Sequence, residues 1–261
     1  MTRTLLLVPT QFELSLIDAQ LIQSWLNGNS TRSEAGITLS TQPGTRVTSP
    51  PAVDGPLSTK IFMPGGNAIA LCGFGMVVAS ARTAQLLAEL KPDQVILIGM
   101  AGSIGDTLEL GKAYRFSKVL CFGIGAGVGS NFVTASELGW EQWQGASVSN
   151  ADSGVEASIS DALDLQDSKT PLRDRSQFHL MTVSAASADF HDVRQKMEKY
   201  PNAVAEDMEG FAVAVACQLA GIPLAIIRGI SNQAGDRDHA SWRSQEAMDS
   251  AALLALESIS K

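Results

Sequence analysis

The segment EDMEGFAVAVACQLAGIPLAIIRGISN, residues 206–232, decides the reading of this chain. It sets Asp207, Met208, Glu209 and Gly210 at the start of a helix whose body, Phe211 to Leu219, carries no charge. A helix that is apolar all round belongs in a core. The carboxylate of Glu209 is therefore expected at the mouth of a buried helix, with its acceptors turned toward a ligand. Pro223 to Ile230 follows as an apolar run of the kind found in core strands. Ser231 and Asn232 come next, beyond the carboxyl end of that strand, where open α/β sheets bind their ligands. The layout is that of a small-molecule pocket.

Working outward, the same alternation recurs. Thr4 to Val8 reads as a first strand with Pro9 to Phe12 as its exit, and Glu13 to Trp25 as a helix with apolar residues at Leu14, Ile17, Leu21 and Ile22. A carboxylate, Glu13, thus stands directly after a strand. Ala68 to Cys72 is the next strand, Gly73-Phe74-Gly75 a turn, and Met76 to Leu90 a helix. Val95 to Ile98 is a strand leading into the glycine loop Gly99 to Gly105. Ala113 to Phe122, His179 to Ser184 and the helices Asp189 to Lys199 and Gln245 to Ile259 complete the pattern. The expected fold class is α/β with a mostly parallel or mixed central sheet. Residues 27–56, rich in Gly, Pro, Ser and Thr, read as a surface excursion, Gly123 to Gly129 as a mobile or tightly turned loop, and 141–175 as a polar region of weak periodicity.

A chain of 261 residues can form one α/β domain, and residues 1–261 are read as that single domain. Lys and Arg total 19 against 27 Asp and Glu, a net charge of −8 that argues against unspecific binding to nucleic acid. Cys72, Cys121 and Cys217 sit in apolar or glycine-rich runs without paired spacing, as expected of reduced thiols in a cytoplasmic protein. The apolar run Leu5 to Val8 is too short to span a bilayer, so no membrane association is expected.

The candidate chemistry has plain alternatives. The glycine stretches are neither G-x-G-x-x-G nor a Walker A loop; they either let backbone approach a ligand or serve tight packing. Glu13 is either a first-turn residue favoured by the helix dipole or a functional carboxylate. Glu209 is harder to assign to structure alone, because a carboxylate at the edge of an apolar helix needs a partner, and a ribose diol supplies two donors. Asn232 offers an acceptor and two donors to a purine edge, and is also an ordinary turn residue. Asp236 and Asp238 suit a helix cap, and His239 beside them is a candidate substrate contact. His179, His191 and His239 are too dispersed to form a metal cluster, and no G-x-S-x-G elbow is present.

Together these residues resemble the purine nucleoside phosphorylase and nucleosidase superfamily over most of the chain. Ile98 to Ser103 is similar to its glycine loop, Ala205 to Ala212 to its ribose-binding Met-Glu motif, and Ile230-Ser231-Asn232 to its base-binding loop. Within it, the chain most resembles the futalosine hydrolases, on Val8 to Glu13, on Val183-Ser184 and the residues after them, and on Arg228 to Asn232 followed by Asp236-Arg237-Asp238 and Trp242. The departures are the 27–56 excursion and the Gly123 to Gly129 loop.

The resemblance implies a three-layer sandwich around a mixed sheet, as in nucleoside phosphorylases, and an enzyme that needs no cofactor and no metal. Its reaction would be hydrolysis of futalosine to hypoxanthine and dehypoxanthine futalosine in menaquinone biosynthesis. Phosphorylases of the superfamily usually carry a phosphate-binding Arg on the first loop, where this chain has Thr10-Gln11-Phe12-Glu13. Glu13, Glu209 and Asn232 are the implied catalytic residues. Met100, Ala101, Gly102, Val183, Ser184, Met208, Ser231 and His239 are the implied substrate contacts. The alternatives are an adenine-releasing methylthioadenosine or adenosylhomocysteine nucleosidase, whose relatives carry Asp in place of Asn232, and a non-catalytic nucleoside-binding protein. A homodimer or larger homo-oligomer is expected, with apolar stretches such as Phe122 to Phe132 at the interface.

Overall fold

The computed structural model describes residues 2–26, 60–62, 67–145, 158–165 and 177–259. The 27–56 excursion and most of the polar 141–175 region lie outside them. The chain begins β1 (Thr4–Val8), α1 (Gln11–Leu16), α2 (Ala19–Leu26), β2 (Lys60–Phe62), β3 (Ala68–Leu71), α3 (Gly75–Leu90) and β4 (Gln94–Ser103). There follow β5 (Ala113–Phe116), β6 (Lys118–Phe122), a small hairpin of β7 (Gly125–Ala126) and β8 (Val133–Thr134), β9 (Ala162–Asp164) and β10 (His179–Val183). The chain then continues through α4 (Phe190–Lys199), β11 (Ala203–Asp207), α5 (Gly210–Ala220), β12 (Leu224–Gln233) and α6 (Ser244–Ile259).

Ten strands form one mixed sheet, in the order β2-β3-β1-β4-β11-β10-β6-β9 with β12 bridging β4 and β5. Its central strands are apolar on both faces because both are covered. In β1, Leu5 and Leu7 join the core under α3 and α5, while Leu6 and Val8 join a second core with Trp25 and with Met248 and Ala251 of α6. The result is a helix, sheet, helix sandwich, as expected.

The decisive element is β4, longer than the sequence reading made it. Gly99 to Ser103 is strand, not loop. β4 pairs with β1 over Gln94 to Leu97, with β11 at Gly102 and Ser103, and with β12 along nearly its whole length. One flank of β4 therefore passes from β1 to β11, and between the two the ladder opens. Glycine is required at Gly99 by crowding rather than by a turn: a Cβ there would collide with the Arg228 guanidinium and lie 2.9 Å from Glu13 Oε1. Ser231 and Asn232 likewise lie inside β12, where the register slips between Ile230 and Asn232, and not beyond it. Such a bulge re-aims side chains at a strand end.

Two further expectations are corrected. The 13–25 helix is two, because Ile17 turns extended (ψ 131°) and the Asp18 carboxylate accepts from Gln20 N at 2.7 Å, starting a new helix. The 113–122 strand is also two: on either side of Ser117 the chain changes partners, from β12 to β10.

Candidate active site

Where the ladder opens beside β4, a cavity of about 550 Å³ lies over the ends of β4, β11 and β12. Glu13, Met100, Ala101, Gly102, Val183, Met208, Glu209, Ser231, Asn232 and His239, all singled out from sequence, line it. Ser184 is not among the lining residues; its hydroxyl sits against the turn at Gly123.

Glu13 reaches the cavity because α1 starts with a capping box. Thr10 Oγ1 accepts from Glu13 N (3.2 Å), and Glu13 Oε2 accepts from Thr10 N (3.1 Å) and Thr10 Oγ1 (2.7 Å). Glu13 Oε1 takes the Met100 N–H (2.9 Å) in the opening between β1 and β11. The bland and the functional readings of Glu13 thus describe one side chain: the cap fixes a carboxylate that lines the cavity from above β4.

Glu209 sits at the N-terminal boundary of α5 but does not cap it. Its Oε1 accepts from Gly75 N, the first residue of α3, at 3.1 Å, and Oε2 lies 3.5 Å from Arg228 Nη2. Burial pushes its carboxyl up to about 7 against the downward pull of Arg228, while the negative charges of Asp207 and Glu13 add to the rise. Asp207 performs the capping, accepting from Gly210 N (2.9 Å), Thr182 Oγ1 (2.6 Å) and Arg228 Nε (2.9 Å).

Arg228 is the residue that sequence reasoning passed over, quoting it only within a motif. It lies in β12 between Ile226 and Ile230 with 0% exposure, held by Asp207 and Glu209. Among the described residues its Nη1 has no hydrogen-bond partner. The signal was present: an arginine inside an apolar strand is fully buried only when paired, and the acidic pair 21 and 19 residues upstream, Asp207 and Glu209, was the natural partner. Asn232 is tied at both ends, its Oδ1 accepting from Ser231 Oγ (2.8 Å) and its Nδ2 donating to Gln233 O (2.8 Å) with Asp236 O at 3.5 Å. At the mouth His239 packs against Trp242, the ring centroids 4.3 Å apart and the planes tilted by 47°.

The phosphorylase superfamily model matches residues 65–260, about three quarters of the sequence. The chain belongs to that superfamily. A 5'-methylthioadenosine/S-adenosylhomocysteine nucleosidase of Chromohalobacter salexigens is 30% identical over 171 residues, which cover 66% of this chain and 68% of the relative. A futalosine hydrolase of Streptomyces coelicolor is 28% identical over 211 residues, covering 79% of this chain and 81% of the relative. Among solved structures, the Neisseria meningitidis 5'-methylthioadenosine/S-adenosylhomocysteine nucleosidase in complex with methylthio-immucillin-A superposes with a TM-score of 0.65 at 16% identity, covering 100% of this chain and 99% of that one. Helicobacter pylori futalosine hydrolase gives 0.61 at 13% identity, over 99% and 97% of the two chains. At such identities the structures establish the fold alone. Homology to nucleosidases of this superfamily supports an N-glycosyl hydrolase activity. Among the described residues no helix is long and apolar enough to cross a membrane.

Proposed function

We propose that this enzyme cleaves the N-ribosidic bond of a nucleoside whose leaving base is a 6-oxopurine, the reaction of futalosine hydrolase, with hypoxanthine as the released base. The observation that carries this reading is the bonding of Asn232. Its Nδ2 faces two carbonyl oxygens, those of Gln233 and Asp236, so a carboxylate in its place would meet like partial charge on that side. An amide is what the position accommodates: one N–H is held by Gln233 O at 2.8 Å, and the other, only 3.5 Å from Asp236 O, is the one that can turn to the N7 or O6 acceptors of a 6-oxopurine. The Streptomyces futalosine hydrolase, aligned over the longer stretch, supports the same choice. The second reading is an adenine-releasing methylthioadenosine or adenosylhomocysteine nucleosidase. The Chromohalobacter relative, at slightly higher identity, weighs toward it.

In either case the chemistry we propose is the same. The C1'–N bond breaks with its electron pair leaving on the base, positive charge builds on the ribosyl ring, and water adds to C1' while Glu13 takes its proton; the departing base takes up one proton from water and Glu13 returns one to it, so a neutral base and free sugar result. Glu209 grips the ribose hydroxyls, and its negative field acts more strongly on the charged ring than on the neutral substrate. A carboxylate in the first turn of α1 also disfavours phosphate as nucleophile, so free sugar is the expected product with or without phosphate.

Futalosine, inosine, methylthioadenosine and adenosylhomocysteine, assayed side by side for released base, decide between the readings. Hypoxanthine from futalosine is expected, and adenine released with no hypoxanthine would overturn the first reading in favour of the second. Asn232→Asp should lower hypoxanthine release about tenfold or more and raise relative use of 6-amino substrates; a variant that uses inosine-type substrates better contradicts the role given to Asn232.

We also propose a cytoplasmic homodimer. Phe132 is buried and packs against Phe122 with ring centroids 4.7 Å apart, so the large apolar side chains that the 122–132 stretch exposes are Ile124 and Val128. A larger apolar group lies at the cavity mouth: Phe12 and Phe74 line it, and Val77 and Val78 continue it along α3, all more than half exposed. A second copy covering this group would close the cavity. Light scattering at micromolar protein should return twice the chain mass, and a monomer with full activity would refute the dimer.

A further inference from the structure

We infer that Glu206 determines base specificity, its carboxylate accepting the N1–H of the leaving purine; this rests on the 6-oxopurine reading above. Glu206 lies in β11 with 5% exposure, and it lines the cavity. Gly102 of β4 has Glu206 as its partner on one side and Asn232 on the other. The two side chains therefore rise from strands roughly 10 Å apart, two inter-strand spacings, on either side of a residue that has none. All three positions belong to the cavity wall.

The protein places donors behind this carboxylate. Ser187 N donates to Glu206 Oε1 at 2.9 Å and Ser187 Oγ to Oε2 at 2.7 Å. Lys196, itself buried, stands 3.6 Å from Oε2 and donates to Ser187 Oγ (2.9 Å) and to Ala185 O (3.0 Å). A buried ion pair is poor value for stability, since two apolar residues of similar volume fill such a space at no lower stability. What it does provide is an acceptor on the cavity wall with its charge balanced from behind. Among the described residues Oε1 has one partner and retains a lone pair.

The chemistry of purine edges then selects the ligand. A 6-oxopurine presents a donor at N1 beside an acceptor at O6; a 6-aminopurine presents an acceptor at N1 beside a donor at N6. A wall with an acceptor-only carboxylate at one end and an amide N–H at the other fits the first and repels the second at N1. Substitution by glutamine has a defined outcome. Ser187 O–H and Lys196 both lie at Oε2 and claim the amide carbonyl there, so the new NH2 takes the Oε1 position toward the base and gives up the bond from Ser187 N–H.

Binding of hypoxanthine, 1-methylhypoxanthine and adenine to the purified protein, measured by calorimetry, tests this. The wild type should bind hypoxanthine at least about tenfold more tightly than the other two, because a site built to hydrogen-bond a group rejects analogues lacking it. In Glu206→Gln the hypoxanthine-over-adenine preference should fall about tenfold or more, with adenine gaining in absolute affinity. A residue that only pinned the 184–189 loop would weaken all three bases together and leave the preference in place, which would overturn the inference. Equal binding of hypoxanthine and 1-methylhypoxanthine by the wild type would overturn it without any variant. A wild type that prefers adenine and releases it would instead remove the 6-oxopurine reading on which the inference stands.

Discussion

Glu13→Gln should reduce kcat by about a thousandfold, within the range attributed to a positioned general base, with KM changed far less. The prediction is sharp because the same residue has a structural duty that glutamine can partly keep. Glutamine serves at the third position of a capping box as glutamate does, so α1 should still form. What glutamine cannot do is take a proton from water. The substitution also leaves one of the three donors that now meet the carboxylate, Thr10 N, Thr10 Oγ1 or Met100 N, opposed by an amide NH2, at a cost of about 1–3 kcal/mol. Thermal melting measured beside turnover separates the two effects. A melting point lowered by a few degrees with kcat intact within threefold would leave Glu13 as a cap and nothing more.

How much of this was legible in the sequence depended on whether a residue's role is local. The strand β1 and the charge-free helix α5 followed from runs of apolar residues, because burial on both faces leaves no room for alternation. The Met-Glu and Ser-Asn motifs located the cavity for the same reason: each lies at the end of one element. The length of β4 was not legible. Gly99 and Gly102 look like a turn, and only the neighbours they admit, Arg228 and Glu13 at the first and the Ala234 backbone at the second, show why glycine belongs in a strand there. The Lys196, Ser187 and Glu206 network was equally hidden, since its members come from α4, the loop before it and β11, and no spacing rule joins them. Ser231 and Asn232 were placed by motif in the right neighbourhood and by periodicity one strand end too late. A register slip of one residue does not alter composition and so leaves no trace in it.

Arg228→Met should destabilise the folded protein by about 3–5 kcal/mol, the usual consequence of leaving buried charges without their partner, and the loss should grow with pH. Arg228 is fully buried and holds Asp207 and Glu209 together while its field reaches Glu13. Methionine fills much of the same volume, so the cost is electrostatic rather than a cavity. The sign follows from Glu209. Its carboxyl, ordinarily near 4.5, is pushed up to about 7 in the folded protein, by burial first and with Arg228 opposing. The native state therefore binds this proton more tightly than the unfolded chain does, and the group's contribution to stability falls as pH rises from about 4.5 to 7 and then levels off. Without Arg228 the principal downward influence is gone and the window extends to higher pH. At pH 5 Glu209 is largely protonated in both proteins and the difference between them is smallest; past pH 7 the wild type has levelled while the variant continues to lose stability. Urea unfolding at pH 5 and pH 8 reads this directly, and a difference that is the same at both values, or under about 1 kcal/mol at pH 8, would contradict it. A protein that accepts such a cluster has placed charge where apolar residues would have packed at less risk. The cluster is best understood through the cavity it borders, where the same arginine that permits Glu209 to be buried also keeps its carboxylate available to the ribose.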